Sequence, residues 1–247
     1  VIVVLDVEVQ VELVEHRGGE PDVALRPRCQ VCQLFEVLRR AVAATGGDAL
    51  MADMKKYLNQ NIVGLPPSGI RKFFDLVSQS SGIISLGVGE PDFVTPWDIR
   101  ETAWYSLTRG FTMYSPNRGL PELCELIAEY EKNSIGVSYE PKNEVLVTVG
   151  ASEAVDLAFR ALLEPGDEVL IPEPSYVAYA PGATMAYGVP VPVVTRAEHD
   201  FVLQVNDLEK AVTPKTKVLM LNYPNNPTGA GLTAADKRKI AEFAVDR

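Results

Sequence analysis

VLVTVGASEAVDLAFRALLEPGDEVLIPEPSY, residues 145–176, is the stretch from which the rest of the chain is read. Residues 145–149 are a short apolar, β-branched run, the composition of a strand buried on both faces. Gly150, Ala151 and Ser152 then make a turn of small residues. Ala154, Leu157, Ala158, Ala161 and Leu162 follow at the spacing of one helical face. Pro165, Gly166 and Asp167 stop that helix, and a second strand begins at Glu168. Strand, helix and strand in this order predict a βαβ unit with a right-handed crossover.

The turn has chemical meaning. Ser152 is expected as the helix N-cap, and its small neighbours leave backbone N–H groups uncovered. The first N–H groups of a helix lack intrahelical partners, and the macrodipole adds partial positive charge. Such an end suits a phosphate. By itself the turn also reads as an ordinary capped helix, and its neighbours in sequence must separate the two.

Composition limits the alternatives. Of 247 residues, 47% are hydrophobic and 23% charged, which is ample for a globular core. The formal net charge is −10, and no basic patch is dense enough for a nucleic-acid footprint. The three cysteines are Cys29, Cys32 and Cys124. Cys29 and Cys32 form a C-x-x-C pair with no second pair or histidine cluster, so no metal site is expected and a packing role fits better. A low, odd cysteine count points to a reducing compartment. No apolar run has the length of a membrane span, and the first residues lack a signal-peptide pattern. A cytoplasmic location is the default expectation.

Taken in order, residues 1–50 differ from the rest. Leu5, Val7, Val9, Val11 and Leu13 alternate with polar residues, as in a half-exposed strand. His16 sits beside a turn and is expected at the surface. Val31, Leu34, Phe35, Leu38 and Val42 mark a helical face that Gly46 and Gly47 end. This segment reads either as an appended element of unassigned role or as upstream sequence joined to a start near Met51 or Met54, with residues 51–95 as an arm and small-domain segment and 96–247 as the main domain. Short helices are predicted over 51–61 and 70–77, a strand over 83–88, and a helix from Pro96 towards Arg109. A loop follows over 114–119. A helix over 121–132 is predicted to bury Leu123, Leu126, Ile127 and Tyr130. Beyond the central unit, a helix is predicted over 175–187, shortened or kinked by Pro181. Residues 189–194 read as a strand whose Pro190 and Pro192 favour an edge. Asn206 is expected to cap a short helix through Val212. Residues 218–221 read as a buried strand, followed by NYPNNPTG. Thr233 and Asp236 form a capping box for a last helix expected to run to the chain end. Alternating strands and helices indicate an α/β fold with a mainly parallel sheet, and ligands there sit beyond the carboxyl ends of strands. The turns at 150–152, 173–176 and 225–229 are therefore expected to face one cleft.

Five segments occur in register: SLGVGEPDFVTP (85–96), MYSPNRGLPEL (113–123), VTVGASEA (147–154), GDEVLIPEPSYVAY (166–179) and LNYPNNPTG (221–229). In this order and spacing the chain resembles class I/II pyridoxal-phosphate aminotransferases of fold type I, nearest to the aspartate and aromatic group. The likeness covers roughly residues 54–247, and NPTG after a buried strand is its most specific part. It implies the large domain of that fold, a three-layer α/β/α arrangement on a mainly parallel sheet, incomplete here, with part of a small domain. It also implies pyridoxal 5'-phosphate as cofactor, amino acids and 2-oxo acids as substrates, and a homodimer. By the same resemblance, Ala151 and Ser152 hold the cofactor phosphate and Tyr176 stacks on the pyridine ring. Asn226 binds the phenolic oxygen, with the Asn226–Pro227 bond a candidate for cis. Tyr114 reaches the phosphate of the neighbouring subunit, and Gly89 lies near the substrate carboxylate. Residues 68–71 are a looser match to the substrate side-chain pocket.

Two departures stand out. Cys124 replaces a common arginine and is expected on a helix surface. The family's Schiff-base lysine, in an S-x-x-K context, is expected beyond Arg247, as are an aspartate, a tyrosine and an arginine of the site. On this reading Lys215, Lys217, Lys237 and Lys239 have no such role, and the chain is the amino-terminal part of an enzyme, inactive alone. A C–S lyase or decarboxylase of the same fold, or a non-catalytic regulator retaining it, are the competing functions.

Overall fold

The computed structural model describes residues 2–4, 57–66 and 91–247. In chain order these form β1 (Ile2–Val4), α1 (Gln60–Val63), α2 (Trp97–Thr108), α3 (Pro121–Ile135), α4 (Pro141–Glu144) and α5 (Gly150–Leu162). Then come β2 (Glu168–Glu173), α6 (Tyr179–Met185), β3 (Val189–Val194), α7 (Val205–Ala211), β4 (Thr216–Leu221) and α8 (Ala234–Val245). The chain divides into two compact units, Val1–Pro66 with Asp156–Arg247, and Pro67–Val155. The strand read over 5–13, the helices over 31–42 and 70–77, the strand over 83–88, and His16, Cys29, Cys32 and Gly89 lie outside the described residues. Of the helix read over 51–61, residues 51–56 lie outside the described residues, and α1 over Gln60–Val63 overlaps its last two positions.

The first unit is built on a four-stranded sheet of order β1-β4-β2-β3, with every pairing parallel. Parallel neighbours need crossovers, and α6 and α7 supply them between β2, β3 and β4. Val169, Leu170 and Ile171 of β2 and Val218, Leu219 and Met220 of β4 are all buried. Successive strand residues point to opposite faces, so both faces of this sheet are covered. On one face Leu170, Val193, Leu219 and Leu221 pack with Leu203, Leu208 of α7 and Ile240 of α8. The α/β architecture thus follows from continuous apolar strands. β3 lies at the sheet end, where Pro190 and Pro192 cost no ladder hydrogen bond. At the amino end of the sheet, the Glu168 carboxylate accepts from the hydroxyls of Thr213 (2.6 Å) and Thr216 (3.2 Å).

Several local expectations are corrected here. The helix read over 175–187 is only α6. Pro181 is its third residue, within the first turn, where a missing N–H is harmless; an earlier start would place the proline in the interior. Asn206 does not cap α7: Gln204 takes that position without a side-chain bond. The capping box at Thr233 and Asp236 is present, and α8 ends at Val245. In α5 the buried positions are Val155 and Phe159, continued by Leu163 after the helix, while Leu157 is exposed. The face is therefore set by the large Phe159 at i+4 spacing and not by the alanines. Gly182 of α6 lies against that ring, which a Cβ there would approach to 3.4 Å.

In the second unit, Cys124 and Ala128 of α3 cluster with Val145, flanked by Ile127 and Val147. This reverses the reading of Cys124 as a surface residue: it is buried, and its thiol lies 3.5 Å from the Arg118 carbonyl as donor. Leu123, Leu126 and Tyr130 are exposed instead. The strand read over 145–149 does not form. Val147 N–H donates to the Arg118 carbonyl at 2.9 Å, but among the described residues no ladder extends from it, and Leu146 and Val149 are exposed. An apolar run gives a strand only with a partner to complete its hydrogen bonds. Gly119, at φ 103°, lies where a Cβ would be 2.6 Å from Val147 Cγ2, so glycine is required there.

Candidate functional site

β2 and β4 are parallel neighbours, so their carboxyl ends lie side by side. The chain leaving β2 carries Tyr176, and the chain leaving β4 carries Asn226. Asn225, buried at 7% exposure, joins the two. Its side-chain Nδ2 donates to the Pro174 carbonyl at 3.0 Å. Its own N–H donates to the Ala230 carbonyl (2.8 Å), and its carbonyl accepts from Gly229 N–H (2.7 Å). Gly229 takes φ 72°, the left-handed conformation that closes this loop. Asn226 N–H donates to Asn222 Oδ1 at 3.4 Å, and the Asn226 residue is exposed. The Asn226–Pro227 bond is cis, as are Glu173–Pro174 and Tyr223–Pro224.

Tyr176 retains 37% exposure, and its ring meets Tyr179 edge to face, centroids 5.6 Å apart at 72°. Tyr179 is buried, and burial pushes its hydroxyl pKa up, with Tyr176 adding to the shift. One tyrosine thus supports the other: a buried ring holds an open one. Thr195, also buried, donates through its N–H (2.7 Å) and its hydroxyl (2.8 Å) to the Glu173 carbonyl, fixing the end of β2. The Tyr223 hydroxyl accepts from Leu203 N–H at 3.2 Å and donates to the Phe201 carbonyl at 3.4 Å. Burial raises the Tyr223 pKa against the opposing pull of the Leu203 bond. The hollow among Ser175, Tyr179, Asn222, Tyr223 and Asn225 is only about 10 Å³, room for one water. The carboxyl ends are therefore a packed platform with Tyr176 and Asn226 on its open side. A larger hollow of about 250 Å³ lies elsewhere, between the start of α7 and α8, lined by Asn206, Asp236 and Lys239.

Ala151 and Ser152 belong to the second unit, in the first turn of α5, and both are exposed. Ser152 is not the N-cap, because the helix begins two residues earlier at Gly150. Gly150 takes φ 79° with open space where a side chain would stand. The Glu153 carboxylate reaches back to Val149 N–H, and the Thr148 hydroxyl donates to the Gly150 carbonyl at 3.0 Å. The N–H groups of Ala151 and Ser152 lie in the turn that lacks intrahelical partners. Tyr114 is fully exposed on the loop between α2 and α3. Among the described residues no cluster of histidine, cysteine or carboxylates could hold a metal ion, and no helix is long and apolar enough to cross a membrane.

Sequence reading singled out Tyr176 and Asn226 but passed over Asn225 and Tyr179, which support them, and Thr195, which fixes only the end of β2. Tyr179 carried a signal, three residues after Tyr176. Asn225 carried one too, as a second amide beside Asn226 directly after a buried strand.

Residues 81–247 match the family model described as aminotransferase class I and II. A curated protein named putative aminotransferase YugH, from Bacillus subtilis (strain 168), is 50% identical over 191 residues, covering 77% of this chain and 50% of that one. Aromatic-amino-acid aminotransferase 2 of Thermococcus litoralis is 48% identical over 189 residues, covering 76% of this chain and 49% of its own. The structure of the aspartate aminotransferase from Thermus thermophilus with maleate superposes with a TM-score of 0.72 at 38% identity, over 76% of this chain and 50% of that one. The chain spans about half the length of these curated relatives.

Proposed function

Because this chain belongs to the class I and II aminotransferase family, we propose that the protein carrying it moves an amino group between an amino acid and a 2-oxo acid with pyridoxal phosphate as cofactor. The observation that carries this is the junction of the Tyr176 loop and the Asn226 loop at the carboxyl ends of β2 and β4, tied by Asn225 at 3.0 Å. The names of relatives, aromatic and aspartate aminotransferases, support an aromatic amino acid, aspartate or glutamate as donor.

Taken unit by unit, the groups present suit such a cofactor: the first unit offers an open aromatic face and an exposed amide, and the second offers helix-start N–H groups beside a glycine with open space. The cofactor, when bound, supplies an electron sink beside the carbon that bears the amino group. Tyr176 offers a flat ring for stacking, held in place by Tyr179. The Asn226 side chain donates to a phenolic oxygen and favours its deprotonated form. Ala151 and Ser152 offer N–H groups and a hydroxyl to a phosphate. Lys217 has no part in this: it is the second residue of β4, near the opposite end of the strand, and pairs with Asp167 at 2.9 Å. We assign the covalent lysine to none of residues 1–247. The protein is read as a homodimer in which Tyr114 reaches the partner's phosphate, which its full exposure permits.

The test is made on the full-length protein. Amino-group transfer to a 2-oxo acid is expected, and Tyr176→Ala and Asn226→Ala should each weaken cofactor affinity about tenfold, the loss of one stacking or hydrogen-bond contribution. Unchanged affinity in both variants would remove the reading.

A further inference from the structure

The two loops of the site are separate in sequence, and one buried side chain joins them. Asn225 lies beside Asn226, and its Nδ2 donates across 51 residues to the Pro174 carbonyl, two residues before Tyr176. Its main chain is held on both sides, by Ala230 and Gly229. A side chain pinned in this way cannot shift without moving both loops. Asn226 and Tyr176 are both exposed, and among the described residues neither side chain bonds to the other's loop. Their spacing is therefore inherited from Asn225. We propose that Asn225 is a positioning residue, which sets the ring-stacking tyrosine against the oxygen-binding asparagine. The inference rests on the function proposed above and extends it to a residue that need not touch the cofactor.

The physical reason is the asymmetry of a buried hydrogen bond. An aspartate at 225 has nearly the same shape but no Nδ2–H, so the Pro174 carbonyl would face an acceptor. Two acceptors repel, and a buried polar group left without its partner is costly. The loops would then part, and Asn226 would be displaced from the position it holds against the phenolic oxygen. A weakened bond to the deprotonated oxygen raises the pH at which that oxygen loses its proton.

The experiment uses the full-length protein loaded with pyridoxal phosphate and follows its visible absorption band as pH is varied. Asn225→Asp is expected to move the midpoint of that titration upward and to weaken cofactor affinity about tenfold. Thr195→Val is the control. It removes an equally buried hydroxyl bond to the same loop (at Glu173), while the Thr195 N–H still holds that carbonyl. It should lower the melting temperature without moving the titration. If Asn225→Asp is too unstable to read, Asn225→Ser, with a shorter donor, is titrated in the same way and should shift the midpoint in the same direction. A midpoint unchanged in the folded variant, with only the melting temperature lowered, would make Asn225 a purely structural residue and overturn the inference. The Tyr176→Ala and Asn226→Ala variants keep the two readings apart. If they weaken cofactor binding while the Asn225 variants leave the band untouched, only the positioning role falls. If they do nothing, the function reading falls with it.

Discussion

At the scale of single residues, space as well as chemistry fixes identity. Gly188 precedes β3, and a Cβ there would lie 2.8 Å from Leu163 Cδ1 and 3.3 Å from the carbonyls of Ala183 and Asp167. A leucine tip yields, but two backbone oxygens do not. Gly188→Ala should therefore destabilise the protein by about 1–3 kcal/mol, measured as a lower urea midpoint at unchanged slope. Tyr176 and Asn226 were legible from the motifs that carry the family resemblance, EPSY and NPTG, which stand in the sequence itself. Asn225, Tyr179 and Thr195 were not, since their roles depend on carbonyls and rings that only the folded chain brings near: Pro174 for Asn225, Glu173 for Thr195 and Tyr176 for Tyr179.

At the scale of elements, ends and faces follow local rules where those rules are strong. The capping box placed α8 correctly, and Pro190 and Pro192 correctly assigned β3 to an edge. Apolar periodicity was weaker. It put Leu123, Leu126 and Tyr130 inside, whereas α3 buries the small Cys124 and Ala128. It made residues 145–149 a strand where no ladder forms. α7 carries a charge arrangement with a measurable signature. Asp207 pairs with Arg196 at 2.9 Å and Lys210 at 3.1 Å. The hydrogen bond from Lys210, with Arg196 adding to it, holds the Asp207 carboxyl below its usual pKa. A carboxyl lowered in the folded state stabilises above its unfolded pKa, about 3.9, and that contribution is lost as pH falls through the folded value. Asp207→Asn should thus be less stable than the parent at neutral pH, and the gap should close on acidification below about pH 3.9. A gap independent of pH in urea titrations would show that the ion pairs contribute nothing.

At the scale of the whole molecule, Tyr114 connects the chain to a second copy in the proposed enzyme. A Tyr114→Phe subunit mixed with one carrying Asn226→Ala should recover part of the parent activity in isolated heterodimers, since one site would then hold both native residues. No recovery would argue for a site complete within one subunit. The parallel sheet has a further consequence, in the order of assembly. β2 meets β3 across about twenty residues of chain and β4 across about fifty, whereas β1 meets β4 across about two hundred. Closing the longest of these loops costs about 2 kcal/mol more than closing the shortest. β2, β3 and β4 should therefore associate first, and β1 should dock after the rate-limiting barrier has been crossed. Removing residues 1–4 should leave the refolding rate nearly unchanged and speed unfolding, the pattern of contacts absent from the transition state. Stopped-flow traces in which refolding slows instead would place β1 in the nucleus. The last pairing made is then the first released, so the Leu219 edge of the sheet is where the native state begins to open.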